Sequence, residues 1–454
     1  MMFKNIIQNL PEVQGPLEKK LGFNTKAKWT LIILVSFFIL STIPLYGMSN
    51  SALSRFESLE AILGASFGSI ISLGIGPIVM ASIILQLLVG SKILDIDIRS
   101  KEGKKYFQGL QKLLVLFFIL FESSVYVFMK GIEASPGFTA IVILQLCAGG
   151  LAILFMDEIS SKWGFGSGIS MFIAAGVSRT IFTALFQFVN SQGVIEPSGR
   201  VLVLITSIIG NNIQGATLAA ASIAISIVIF LVVVWTQSLK VEIPLSYERL
   251  RGYGLKWPLA FFYTSVLPVI LVSALAANIQ LFGGLLQNWL GHPTILGGFN
   301  NGVPQSGFSY WIHQINILGL IISPSSFQWI MILQVIGHIS FYVFFSTLFA
   351  IFWVKTSGMD AQTQAKNIMS SGLTIPGFRK DERILESVLE RYIMPLTIMG
   401  GAAIGLLASL SDILGAVVGG TSILLVIMVM YQFYQSIAQQ HAVDMYPALK
   451  KIIK

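Results

Sequence analysis

The sequence has 454 residues, of which 54% are hydrophobic and 11% charged, with a formal net charge of +8. Soluble domains carry about 25% charged residues, so a chain this poor in charge cannot cover itself in water and reads as an all-α, polytopic integral membrane protein. A lone cysteine, Cys147, excludes an intrachain disulfide and cysteine-based metal sites.

A membrane-crossing helix needs about 20 mostly apolar residues, and on that scale about ten spans are expected. The N-terminal segment, 1–28, is polar and basic. The first apolar run, 29–48, has no small-residue cleavage pattern and reads as a retained span rather than a signal peptide. Spans then follow at 73–90, 113–129, 138–156 and 169–188. The stretch between the first two, about 49–71, mixes polar and apolar residues and runs into Gly74, Gly76 and Pro77. Glycine and proline at the start of an apolar helix are a pointer to a discontinuous helix that lines a cavity, and the pattern fits an ordinary external loop as well. Residues 191–217 form an external linker whose apolar run, 200–210, is too short to span. The second half, 218–436, gives spans at 218–235, 258–279, 327–354, 392–410 and 413–434, with a tail at 437–454. No Asp, Glu, Lys or Arg occurs anywhere in 257–354.

Alternating the loops puts nearly every lysine and arginine on one side and leaves little beyond Arg55, Lys130 and Arg200 on the other. The positive-inside bias makes the basic side and both termini cytoplasmic. Two cytoplasmic loops, 238–257 and 355–391, are long and basic. They act as topology determinants or as a docking surface for an anionic partner such as ribosomal RNA. Residues 380–391 have the pattern of an amphipathic helix leading into the ninth span.

Ionisable groups inside spans are costly and point to function. Glu122 in the third span and Arg179 in the fifth are either functional or structural, Glu122 hydrogen-bonded within the bundle and Arg179 snorkelling toward an interface. Asn278 is a candidate polar partner for Glu122. No Walker loop, HExxH or GxSxG occurs, and His292, His313, His338 and His441 lack ligand spacing. GFGSG at 164–168 follows a span and reads as a tight turn. The chain is therefore not expected to be an enzyme, and neither a cofactor nor a metal is expected.

Several strings, LGIGPIVMASIILQLLVG (73–90), MDEISSKWGFGSGISMFIAAGVSRTIF (156–182), VEIPLSYERLRG (241–252), LPVILVSALAANIQLFG (267–283) and GFRKDERILESVLERYIMPLT (377–397), resemble the archaeal form of SecY, the central subunit of the protein-translocation channel. LPEVQGP (10–16) and GGTSILL (419–425) fit as well, so the resemblance covers nearly the whole chain in order. It implies two pseudo-symmetric halves in an inverted repeat, spans one to five and six to ten, around a central pore. The halves part at a lateral gate to release transmembrane segments into lipid. It also implies an apolar pore ring at Ile75, Val79, Ile169, Ile173, Ile270 and Leu425. A plug would lie around 51–66 and include Ser51, Arg55, Phe56, Leu59, Ile62 and Leu63. Glu122 and Asn278 correspond to a polar gate cluster whose third member, often threonine, is here Met80. Arg249, Arg251, Arg379 and Lys380 correspond to ribosome-binding positions. The implied partners are the ribosome, signal peptides and nascent chains, membrane lipid, and two small membrane subunits, SecE/gamma and beta. The rival reading is a gradient-driven secondary transporter, which shares ten spans, inverted repeats and a broken helix; Glu122 alone as a midplane carboxylate counts against it.

Overall fold

In hydrocarbon a backbone can satisfy its own N–H and C=O groups within a helix, and the long apolar runs of this chain are helical. The computed structural model describes residues 11–17, 21–51, 57–96, 100–188, 198–247, 254–264, 267–322, 328–371, 373–374 and 381–445. Among these, nine helices are long and apolar enough to cross a membrane. The first half holds α1 (Phe23–Thr42), the short α2 (Glu57–Leu63), α3 (Gly76–Gly90), α4 (Lys101–Phe128), α5 (Thr139–Trp163) and α6 (Gly168–Phe186). The external α7 (Arg200–Ile209) follows, ten residues long and therefore about 15 Å, half the hydrocarbon thickness. The second half holds α8 (Ile213–Ser238), α9 (Leu267–Leu290), short α10 (Phe308–Ile312) and α11 (Ile317–Ile322), α12 (Ile330–Thr356), α13 (Ala361–Ser370), α14 (Glu382–Ile413) and α15 (Gly420–Met445).

Three small antiparallel sheets tie the loops. Outside, β1 (Met48–Ser51) pairs with β2 (Ile132–Ala134), and β5 (Gly298–Asn300) with β6 (Val303–Ser306). Inside, β3 (Lys240–Tyr247) pairs with β4 (Gly254–Ala260), and the two residues of β7 (Leu373–Thr374) add to the other edge of β3. The two basic loops, separate in sequence, thus share one three-stranded sheet. They also share a core in which Ile243 and Leu259 pack with Ala365 of α13 and Leu385 and Leu389 of α14.

That cytoplasmic core corrects several span limits. The seventh span, expected from residue 258, begins at Leu267, because Trp257, Leu259, Phe261 and Tyr263 belong to or pack on the cytoplasmic core rather than lipid. The third and ninth spans, expected at 113–129 and 392–410, are the bilayer portions of longer helices, α4 with 28 residues and α14 with 32. At 1.5 Å per residue these reach about 42 and 48 Å, beyond a hydrocarbon core of about 30 Å. The amphipathic stretch at 380–391 is helical from Glu382 and continuous with the span. The first span begins and ends six residues earlier than expected, since 43–47 turns into β1. The tenth begins at Gly420 rather than 413; Gly415 has φ +73°, and Asp412 at the end of α14 accepts a 2.7 Å hydrogen bond from the Thr421 amide.

Candidate pore, plug and lateral gate

The broken second span is built by a chain reversal between α2 and α3. Gly74 has φ +55°, and a β-carbon there would collide with the carbonyl oxygen of Leu63. Glycine is therefore needed for the Ile75 amide to reach that carbonyl, which it does at 2.8 Å. Gly64, just after α2, has φ +53°, and a β-carbon there would stand in van der Waals contact with Ile75 and Phe172. The plug-like helix α2 packs against α6 and α9, one helix from each half.

Five of the six proposed ring residues are buried. Ile75, Ile173 and Leu425 are 0% exposed, and Val79 and Ile270 2%. They belong to one apolar core that also contains Leu59 and Leu63 of α2, with Ile62 and Ile169 half-buried against it. Ser51 ends β1, opposite Ile132. Arg55 and Phe56 lie outside the described residues. On the cytoplasmic side, Val79, Ile169 and Ile270 border a cavity of about 530 Å³ that mixes apolar walls such as Phe107 and Leu271 with the polar side chains of Ser82, Gln86, Gln111, Thr356 and Asp360. A cytoplasmic vestibule thus ends on branched apolar side chains.

The seam between the halves runs where α3 packs on α9 and α12. Glu122 of α4 and Asn278 of α9 are both buried, but the structure gives them no hydrogen bond to each other. The Asn278 Nδ2 donates to Ala274 O of its own helix at 2.8 Å, and neither Glu122 oxygen has a hydrogen-bond partner among the described residues. The carboxyl lies instead against Gly76, 3.1 Å from where a β-carbon would stand, at the N-terminus of α3. The helix dipole favours a carboxylate there. However, the amides of Ile75, Gly76, Ile78 and Val79 are already engaged, and Pro77 has none. Met80 is half-buried and offers no hydrogen-bond donor. Nearby, Gln111 of α4 donates to Ser82 of α3 at 2.8 Å, a polar contact within the first half that sequence reading missed.

Arg179 is exposed in an apolar groove lined by Leu34, Phe38, Phe182 and Met430 from α1, α6 and α15. It makes no ion pair among the described residues and does not join the gate elements.

The cytoplasmic face of the first half is strapped by its N-terminal segment. Lys112 of α4 bonds Pro11 O and pairs with Glu158 of α5. Glu158 accepts the Val13 amide at 2.9 Å, and Trp163 donates to Gln14 O at 3.0 Å. Lys162 pairs with Glu12, and its hydrogen bond holds the Glu12 carboxyl below the usual carboxylate range. Residues 11–14 therefore have a mechanical role that composition alone did not suggest. Outside, burial pushes the His313 imidazole down to about 4, helped by neighbouring His338, so it is neutral at physiological pH.

Arg249, Arg251, Arg379 and Lys380 lie outside the described residues. The strands that lead to them, β3, β4 and β7, meet in the same cytoplasmic sheet.

The SecY family model matches residues 69–434. A protein translocase subunit SecY from Methanothermobacter thermautotrophicus is 42% identical over 99% of this chain and 98% of its own length. Among solved structures, a SecY whose plug domain stabilises the closed state of the translocation channel and maintains a membrane seal superposes with TM-score 0.82, at 37% identity over 98% of both chains. Sec61 in the canine ribosome-channel complex from the endoplasmic reticulum follows at TM-score 0.79 and 36% identity, again over 98% of both chains.

Proposed function

The chain belongs to the SecY family of protein-translocation channel subunits, and from that premise we propose how its own residues conduct a polypeptide. It is a multi-pass membrane channel that passes unfolded chains, and its relatives support this over a small-solute transporter. The family's role is conduction, not bond-making.

The observation that carries the residue-level reading is the burial of Ile75, Val79, Ile173, Ile270 and Leu425 in one core with Leu59 and Leu63, with Val79 and Ile270 also bordering the cytoplasmic vestibule. Apolar side chains can close around an extended chain without specific hydrogen bonds, and an apolar neck resists wetting. At rest the plug helix fills the space on the far side of the ring. Exposing Leu59, Ile62 and Leu63 fully would cost about 5–9 kcal/mol, an upper bound, so the channel rests closed. A translocating chain opens it by replacing those contacts with its own. Glu122, Asn278 and Met80 lie along the gate through which apolar segments leave for lipid. Without a bond between Glu122 and Asn278, packing rather than a polar lock holds that gate.

Arg249, Arg251, Arg379 and Lys380, in the two loops whose strands join in the cytoplasmic sheet, bind ribosomal RNA, while SecE/gamma and beta subunits complete the membrane assembly. Proteoliposomes carrying the channel complex should take a ribosome-bound secretory chain into a protease-protected lumen. Arg249→Glu with Arg379→Glu should weaken ribosome binding by about tenfold or more at physiological salt and lower the salt dependence, leaving membrane insertion of the channel intact. Unchanged affinity would contradict the docking assignment, and no protected chain with bound ribosomes would contradict the conduction reading.

A further inference from the structure

α3 and α12 approach closely across the seam at Gly90, the last residue of α3. A β-carbon on Gly90 would lie 2.7 Å from Cγ and 3.0 Å from Cε1 of Phe352 on α12, and nearer still to Cδ1. Because Cγ is bound to the side chain's own β-carbon, the ring can clear a substituent only by changing χ1; otherwise the helices must move apart. Conformation does not explain the glycine. The left-handed residue that ends this helix is Lys92, with φ +61°, whereas the φ of Gly90 is outside that region. Close packing against the other half is what calls for it. The contact also borders the vestibule: Gln86, one turn before Gly90, and Trp353 and Thr356, next to Phe352, line that cavity.

Resting on the lateral-gate reading above, we propose that the Gly90–Phe352 contact is the latch at the cytoplasmic end of the gate, and that it determines how apolar a signal segment must be to part the halves. The gate opens when an apolar segment offers α3 and α12 more than they offer each other. The tighter their contact, the more apolar that segment must be. A side chain at position 90 acts as a wedge that lowers the threshold, and loss of the Phe352 ring makes room for the wedge.

The test compares two secretory reporters in proteoliposomes, one with a strongly apolar signal segment and one with a weakened segment. Gly90→Leu should raise translocation of the weakened reporter about tenfold, corresponding to about 1.4 kcal/mol of gate equilibrium, with the strong reporter unchanged as the control for folding. Gly90→Leu combined with Phe352→Ala should restore discrimination. A second variant, Gly90→Cys with Phe352→Cys, should stop membrane insertion of the strong segment when oxidised and recover on reduction. If oxidation stops insertion while Gly90→Leu discriminates like the parent, the latch is refuted and the gate reading stands. If the oxidised pair still inserts segments at the full rate, the gate reading itself fails.

Discussion

Deleting residues 51–66 is expected to raise the resting ion conductance of the channel in planar bilayers by about an order of magnitude. The reason is local. Leu63 is 1% and Leu59 8% exposed, packed in the same core as the ring, and the Leu63 carbonyl is the acceptor for the Ile75 amide at the point where α3 begins. Removing α2 leaves the ring's far side unfilled and that amide unbonded, so the ring must close alone. A milder variant, Leu63→Glu, places a charge in the apolar core and should produce the same leak with the chain length intact. Parental conductance in both variants would contradict the plug assignment.

Polar substitution of the ring should have the second largest effect. Ile75→Asn with Ile270→Asn puts two amides where the structure buries two branched apolar side chains at 0% and 2% exposure. Each costs about 1–3 kcal/mol of packing and unmet hydrogen bonding, and a neck lined by amides holds water. Conductance should rise several-fold with the plug still present, because wetting of the neck, not the plug alone, sets the leak. Ile227→Asn on α8, 55% exposed on the outer surface, is the matched control and should leave conductance unchanged. Equal conductance in the ring variant and this control would remove the ring from the mechanism.

Much of this architecture was legible in the residues. Ten apolar runs, the charge bias and the Gly74, Gly76 and Pro77 break at the second span follow from hydrocarbon thickness and backbone satisfaction. What stayed hidden had particular physical causes. Residues 257–263 are apolar, yet they cover a cytoplasmic core rather than lipid, and hydropathy does not distinguish two apolar destinations. The charged turns at the start of α4 and α14 continue the spans beyond the bilayer, where hydropathy stops reporting on helix. The pairing of Ser246 and Tyr247 with Thr374 and Leu373 joins two distant loops, a long-range choice that no local pattern encodes. At the site, Glu122 and Asn278 stand out as polar residues within spans, but that Glu122 lies against Gly76 and Asn278 bonds its own helix is a matter of tertiary placement. Gly90 carried no signal in sequence because a helix-terminal glycine usually ends the helix; only the placement of Phe352 gives it another reason. The ring positions themselves rested on resemblance, since buried isoleucines and leucines are indistinguishable by type.

The central claim is that a polypeptide passes through the core formed by the two halves, and the direct measurement is site-specific crosslinking. A photo-reactive side chain at position 75 just before α3, at position 425 on α15 or at the surface position 227 is challenged with a ribosome-arrested secretory chain. Adducts at both 75 and 425 and none at 227 are the predicted result, because the first two face one buried core from opposite halves. Crosslinks at 227 with none at 75 and 425 would place the nascent chain outside the channel and contradict the account.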